Sequence, residues 1–319
     1  MRSKEKSHDR CILRHMKING CGHDNGRIIR LNREIHDSLS TAYEDLHEEI
    51  FNPTEQQRIR QILLKAAGLV ETGTEKPLVL DFGAGTGNIT LHLLSLGLKV
   101  VATDISEGIL DKLHRKIVDL DNRENLEITL SNGFDLKNFD DNSFDMTVTY
   151  SVLHHVPDYV FIVSEMLRVL KPGGILLIDH EVCPSYWEVD SEYSKYLYDL
   201  GEKYYYNHLR EIKAVTWKLL RSKLYRYTGK IFSIKAWKNL INKNESNNNE
   251  VYMSAEGDIH VYLEDHIEWE HIKSAIMEVG DVLIEHDYLV CREREYNPVH
   301  WEKWKNRCMD MRVIIARKR

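Results

Sequence analysis

The sequence predicts an open α/β fold in which a doubly wound, mostly parallel sheet carries helices on both faces. Three observations lead there. Short apolar runs alternate with helically spaced stretches from Pro77 to Ile178, the pattern of repeated strand–helix–strand units. The first run, Pro77 to Leu80, passes into Asp81-Phe82-Gly83-Ala84-Gly85-Thr86-Gly87-Asn88, and helical spacing resumes from Ile89 to Leu96. The glycines therefore occupy a strand-to-helix turn, where they permit unusual backbone angles and let a ligand approach closely. The N–H groups opening the next helix suit a carboxylate or phosphate. A second run, Val100 to Thr103, ends in Asp104, placed where a carboxylate can accept from both hydroxyls of a ribose.

Composition sets the outer limits. With 319 residues and a net charge of -7, the chain can bury a full core and lacks the basic balance of a dedicated nucleic-acid binder. Cys11, Cys21, Cys183, Cys291 and Cys308 show neither disulfide nor zinc-ribbon spacing, so reduced thiols are expected. No apolar run reaches the length of a membrane span and the N-terminus lacks a signal-peptide core, which leads us to expect a cytoplasmic protein.

Residues 1–30 are polar and basic without sustained periodicity, and are expected to form a flexible arm. Cys11, His15, Cys21 and His23 lie close together there, but their spacing matches no zinc pattern. Residues 31–75 read as N-terminal helices: one through Ile35, Leu39, Tyr43, Leu46 and Ile50, and a second capped by Thr54 and burying Ile59, Ile62, Leu63 and Ala66. Residues 76–183 form the core. Ser106 caps a helix bearing Ile109, Leu110, Leu113, Ile117 and Leu120, and Leu126 to Leu130 is a third strand. A fourth strand follows Asn142, residues 158–171 form an amphipathic helix, Lys171-Pro172-Gly173-Gly174 turns it, and Ile175 to Ile178 is a fifth strand. In such sheets ligands lie at the carboxyl ends of the strands. Asp179-His180-Glu181 follows the fifth strand, so an acid or imidazole there can take a proton or simply orient a substrate.

The spacing Gly83-x-Gly85-x-Gly87 departs from the G-x-G-x-x-G of dinucleotide binders. Together with Asp104 and the run Phe144-Asp145 to Leu153-His154-His155-Val156-Pro157-Asp158, it resembles the class I S-adenosylmethionine-dependent methyltransferases. The later run looks like the small-molecule subfamily that includes the ubiquinone and menaquinone C-methyltransferases. The resemblance implies a Rossmann-like, seven-stranded sheet whose last strand is antiparallel, with S-adenosylmethionine as the cofactor; its methyl is already activated and its charge disperses on transfer, so no metal is expected. It carries cofactor contacts to Asp81, Gly83, Gly85, Gly87, Asn88, Asp104, Ile105, Asn132, Gly133, Ser151 and His154. Asn132 stands where such enzymes usually have an acid that meets the adenine amino group, with Asp135 as the alternative. Helices ahead of the first strand cover the cofactor in this family, which makes Tyr43 and His47 substrate-side candidates, together with His155 and His266. His180 or Glu181, and after them His260, are the candidate catalytic residues.

Residues 184–257 read as a helical insertion after the fifth strand, expected to roof the acceptor pocket. Between Ile212 and Asn244 it has no acidic residue and holds Lys213, Lys218, Arg221, Lys223, Arg226, Lys230, Lys235, Lys238 and Lys243. A basic amphipathic segment of this kind, residues 212–244, can rest on an anionic membrane surface, grip an anionic substrate, or cap the core with its lysines in water. Residues 258–319 complete the core with a helix over 265–280 and strands at 281–290 and 311–316. The expected activity is methyl transfer to an O, N or C acceptor on a small molecule, lipid-like or anionic, with no stable nucleic-acid complex. A non-catalytic S-adenosylmethionine-binding accessory protein, an RNA methyltransferase and an NAD-dependent oxidoreductase are the alternatives.

Overall fold

The computed structural model describes residues 16–18, 25–40, 42–71, 76–188, 191–201, 251–253, 257–262, 265–292 and 297–319. Its centre is a seven-stranded sheet of β1 Leu78–Phe82, β2 Lys99–Asp104, β3 Leu126–Leu130, β4 Phe144–Tyr150, β5 Leu170–Val182, β6 Gly280–Tyr288 and β7 Met311–Lys318. The strand order is β6-β7-β5-β4-β1-β2-β3. β7 lies antiparallel between β5 and β6, while β1 to β5 pair in parallel. The seven strands and the antiparallel last strand are as expected from the sequence.

The central strands are apolar on both faces because side chains alternate across a sheet that helices cover twice. Val79, Val100, Ala102, Val148 and Leu177 join one core with α4 Pro53–Ala67, α5 Asn88–Ser95 and α6 Glu107–Ile117, through Ile59, Leu63, Leu93 and Leu113. Their sequence neighbours Leu80, Val101, Leu176 and Ile178 join the other, with Ile162 and Met166 of α7 Tyr159–Val169 and Ile272 and Ile276 of α9 Trp269–Val279. A smaller cluster holds Tyr193, Tyr196 and Leu197 of α8 Glu192–Leu200 against Leu289 and Trp304, the latter in α10 Val299–Trp304.

Several boundaries differ from the sequence reading. Helix α1 runs Asn25–Leu39, so residues 25–30 belong to the fold and not to an arm, because Ile28 and Ile29 are buried. The expected single helix to Ile50 is broken into α1, α2 Tyr43–Leu46 and α3 Glu48–Phe51. The cap of α4 is Asn52, whose side chain accepts from Glu55 N at 3.0 Å, with Pro53 following; Pro at the first helical position moves the start ahead of Thr54. Lys171 to Gly174 is not a turn ahead of the fifth strand but bulges within β5: Leu170 pairs with Phe144 and Ile175 with Met146. Residues 16–18 pair antiparallel with 251–253. Cys11, Cys21, His15, His23 and all of 212–244, where the membrane contact was expected, lie outside the described residues. Among the described residues, no helix is long and apolar enough to cross a membrane.

Below the glycine loop, Asp81 is 1% exposed and accepts a 2.6 Å hydrogen bond from Thr90. Burial lifts its carboxyl to about 7 against the opposing Thr90 bond. The folded chain thus keeps this proton to higher pH than the unfolded chain, so the associated stability is full below about pH 4 and is lost as pH rises towards about 7. Asp81→Asn is expected to flatten that slope, cutting the stability lost between about pH 5 and about pH 8 by roughly 2–3 kcal/mol in urea titrations. An unchanged slope would place the titrating group elsewhere.

Candidate active site

A cleft with about 680 Å³ of free space opens at the carboxyl ends of β1, β2 and β4, where Phe82, Gly83, Gly85, Asp104, Ile105, Ser131, Gly133, Tyr150 and Ser151 line it beneath Ile29, Asn32 and His36 of α1. The loop is fixed by Gly83 N and Ala84 N, which donate to the Thr103 carbonyl at 2.8 and 2.9 Å. All three loop glycines have positive φ: 74° at Gly83, 55° at Gly85 and 93° at Gly87. They serve different ends. A Cβ at Gly83 would lie 2.4 Å from Val152 and one at Gly87 2.4 Å from Leu113, whereas a Cβ at Gly85 would meet no atom within 4 Å. Only at Gly85 is the absent side chain space left to a ligand.

Asp104 is aimed by the loop itself. Its Oδ2 accepts from Gly85 N and its Oδ1 from Ser106 N, each at 3.0 Å, which leaves each oxygen further lone-pair capacity. Burial raises its carboxyl, with His36 opposing. Among the described residues, Asn32 Oδ1 is buried without a hydrogen-bond partner, while its amide N donates to the His155 carbonyl at 3.1 Å. A carboxylate, an orphan acceptor and an open glycine cradle together fit a ligand carrying hydroxyls and N–H donors.

Other expected cofactor residues lie off this cleft. Asp81 supports the loop from below, and Gly87 starts α5 with its missing Cβ against Leu113. Asn88 Oδ1 accepts from Gln56 at 2.8 Å. Asn132 is exposed and caps its own turn, accepting from Phe134 N and Asp135 N at 2.7 and 3.1 Å, so Ser131 and Gly133 take the cleft positions on either side of it. His154 lines the adjoining cavity instead.

That second cavity, open to solvent and with about 820 Å³ of free space in and before it, shares His36, Tyr43, Ser151 and His155 with the first and adds His47, Glu49, His154, His180, Asp258 and Arg292. Three of the four expected substrate-side residues, Tyr43, His47 and His155, therefore meet here, and the Tyr43 and His47 rings pack at a tilt with centroids 4.4 Å apart despite the helix break between them. Burial, reinforced by His154 and His36, pushes the His155 imidazole well below its usual range. His266 is not part of this wall; it packs near Trp187, ring centroids 5.4 Å apart.

Of the candidate catalytic groups, His180 lines the second cavity and the other two do not. Glu181 is 1% exposed, and its oxygens are taken by Val152 N, Leu153 N and His154 Nδ1 at 2.9, 2.7 and 2.8 Å. It positions the His154 loop. His260 spends both ring nitrogens, on Asp265 at 2.6 Å and on the Val156 carbonyl at 3.1 Å.

His180 sits in a β-bulge with φ 64°, where β7 skips one residue of β5: Glu181 pairs with Arg312 and Asp179 with Val313. The extra residue lets two consecutive side chains reach α4, which regular alternation forbids. Asp179 pairs with Arg58 at 2.9 Å, and His180 Nδ1 lies 3.4 Å from Glu55. Burial would raise the Glu55 carboxyl, but Arg58 and His180 outweigh it and hold it at about 2. The hydroxyl of Tyr150 donates to Glu55 at 2.9 Å and that of Tyr288 to Asp179 at 3.0 Å. Both hydroxyl oxygens also touch His180 Nδ1, at 2.9 and 3.1 Å. With both hydroxyl protons already committed, Nδ1 must be the donor, and the lone pair of neutral His180 lies on Nε2.

Residues 80–178 match the model of a methyltransferase domain. The demethylmenaquinone methyltransferase of Lactococcus lactis is 30% identical over 185 residues, spanning 56% of this chain and 71% of the relative. The chain belongs to the class I S-adenosylmethionine-dependent methyltransferases. A second relative in this family, the demethylmenaquinone methyltransferase of Renibacterium salmoninarum, is 30% identical over 50% of this chain, which spans 63% of that relative's length, under two thirds. The CcbJ methyltransferase from Streptomyces caelestis shares the methyltransferase fold, with a TM-score of 0.50 and 15% identity over 90% of this chain and 98% of its own.

For a methyltransferase of this class, the residues that sequence reading missed are informative. Asn32 and His36 fall on a helix whose first turn reads as a basic arm. Tyr150, Glu55 and Tyr288 come from three separate elements, and only the fold brings them to His180.

Proposed function

We propose that the chain transfers a methyl group from S-adenosylmethionine in the first cavity to a nucleophilic atom of a small molecule in the second. The observation that carries this reading is the shared wall of His36, Tyr43, Ser151 and His155, which lets donor and acceptor meet without crossing solvent. Asp104, Gly85, Ile105, Ser131 and Gly133 would hold the donor, Asp104 through its remaining lone pairs. When bound, S-adenosylmethionine supplies a methyl already activated by its sulfonium, so the chain has chiefly to align the partners and exclude water.

His180 Nε2 is the base in this reading. It accepts the acceptor's proton, and the imidazolium formed is stabilised through Nδ1 by Glu55 and by the tyrosine oxygens. The named relatives act in their own cases on demethylmenaquinone, and the ring-lined second cavity supports a hydroxylated aromatic or quinol-like acceptor here. Incubating the full chain with S-adenosylmethionine and a panel of quinols and catechols should yield S-adenosylhomocysteine only when an acceptor is present. Donor binding without turnover on any member of the panel would favour the non-catalytic reading, and absence of donor binding would overturn both.

A further inference from the structure

One wall of the second cavity brings together His154, His155 and Asp258, each offering one ligand atom within 4.8 Å of the others. His154 Nε2 lies 3.5 Å and His155 Nδ1 3.4 Å from the same Asp258 Oδ1. These separations exceed an ordinary N–H···O bond of roughly 2.7–3.2 Å. They equal the edge of a tetrahedron, roughly 3.3–3.5 Å, whose centre binds nitrogen and oxygen at the distances typical of zinc, about 2.0–2.2 Å. An octahedral site at similar bond lengths would need edges of roughly 3.0 Å.

The ring orientations agree. His154 Nδ1 donates to Glu181 at 2.8 Å, so the lone pair of its neutral ring lies on Nε2, the nitrogen beside Asp258. A carboxylate behind a ligating imidazole is the usual supporting partner of such a group. His155 Nδ1 is buried with no hydrogen-bond partner among the described residues and lies 3.4 Å from Asp258 Oδ1, so no described donor competes with the cluster for its lone pair. The frame is tied together by backbone: Ile259 N and His260 N both donate to the His154 carbonyl at 3.0 Å, and Asn32 anchors the His155 carbonyl. Asp258 is thereby held beside the two rings.

We infer that His154, His155 and Asp258 form a divalent-metal site of zinc type, with Glu181 as the positioning carboxylate and a fourth position, towards the second cavity, for which the described residues offer no further ligand. This deepens the proposed methyl-transfer reading and rests on it for one point, namely that the fourth position takes an ionisable oxygen of the acceptor and lowers its pKa. Metal binding itself is independent of donor and acceptor, so its failure and the failure of methyl transfer are distinguishable.

The test uses the untagged full chain, stripped with chelator and titrated with Zn²⁺, with Co²⁺ as a spectroscopic probe. About one Zn²⁺ per chain at micromolar affinity is expected, with the intense visible bands of four-coordinate Co²⁺. Asp258→Asn and His155→Ala should each weaken binding at least about tenfold, and Glu181→Gln by about 10–100-fold. Should His155→Ala fail to fold, the near-isosteric Asp258→Asn carries the test, its metal-free melting temperature matching that of the parent chain. A Cys11→Ser, Cys21→Ser double variant should bind as the parent does. Absence of stoichiometric binding, binding indifferent to Asp258→Asn, or loss confined to the double variant would each overturn the assignment.

Discussion

Asp104→Ala is expected to weaken S-adenosylhomocysteine binding by about 100-fold while leaving the free protein no less stable. Two hydrogen bonds to a carboxylate contribute roughly 1.5–3 kcal/mol each, and both ribose hydroxyls would lose theirs. The stability half of the expectation has a different source. Asp104 is a carboxyl that burial holds above its usual range, so the free chain gains little by keeping it there; its Gly85 and Ser106 N–H partners can turn to water entering the cleft. Titration calorimetry and thermal melts on the same sample check both parts. Unchanged affinity would remove Asp104 from the donor site, and a large drop in melting temperature would make it a structural residue.

His180→Ala should lower kcat by about 10²–10⁴-fold, the range of a lost general base, with donor affinity within about twofold of the parent. Glu55→Gln provides the finer test. The amide no longer requires the Tyr150 proton, so the hydroxyl can donate to His180 Nδ1 and shift the ring proton to Nε2. The variant should therefore lose activity while His180 remains in place, and the acidic limb of the pH–rate profile should move. If His180→Ala retains full activity on an acceptor that must lose a proton, another group removes it.

The glycine loop and Asp104 were legible because their chemistry is local: an apolar strand, a turn that only small residues permit, and a carboxylate one strand away at a fixed register. Ser106 was legible as a cap for the same reason. Asn132 was misread because a polar side chain in a turn can satisfy its own backbone, and the sequence does not say which way it faces. Glu181 and His260 look like free acid and base in one dimension; the fold occupies them with Val152, Leu153 and His154 in one case and Asp265 and Val156 in the other. His180 was named without its partners, since Glu55, Tyr150 and Tyr288 are separated along the chain by 95 residues at one step and more than a hundred at the next. The sequence assigns His154 to the cofactor and His155 to the substrate, and nothing local ties Asp258 to either; only the fold brings it beside both rings.

The bulge at His180 has a further meaning for how this site is inherited and altered. Where side chains alternate strictly, the content of a pocket is a matter of residue identity, and substitution explores it fully. Here the placement depends on the parity of β5. A chain one residue shorter between Ile178 and Val182 would keep its pairing with β4 up to Asp179 and yet send the next side chain to the opposite face, away from Glu55. Substitution can change which side chain stands at position 180, but turning that side chain to the other face takes an insertion or deletion, a kind of change that no scan of single substitutions would sample.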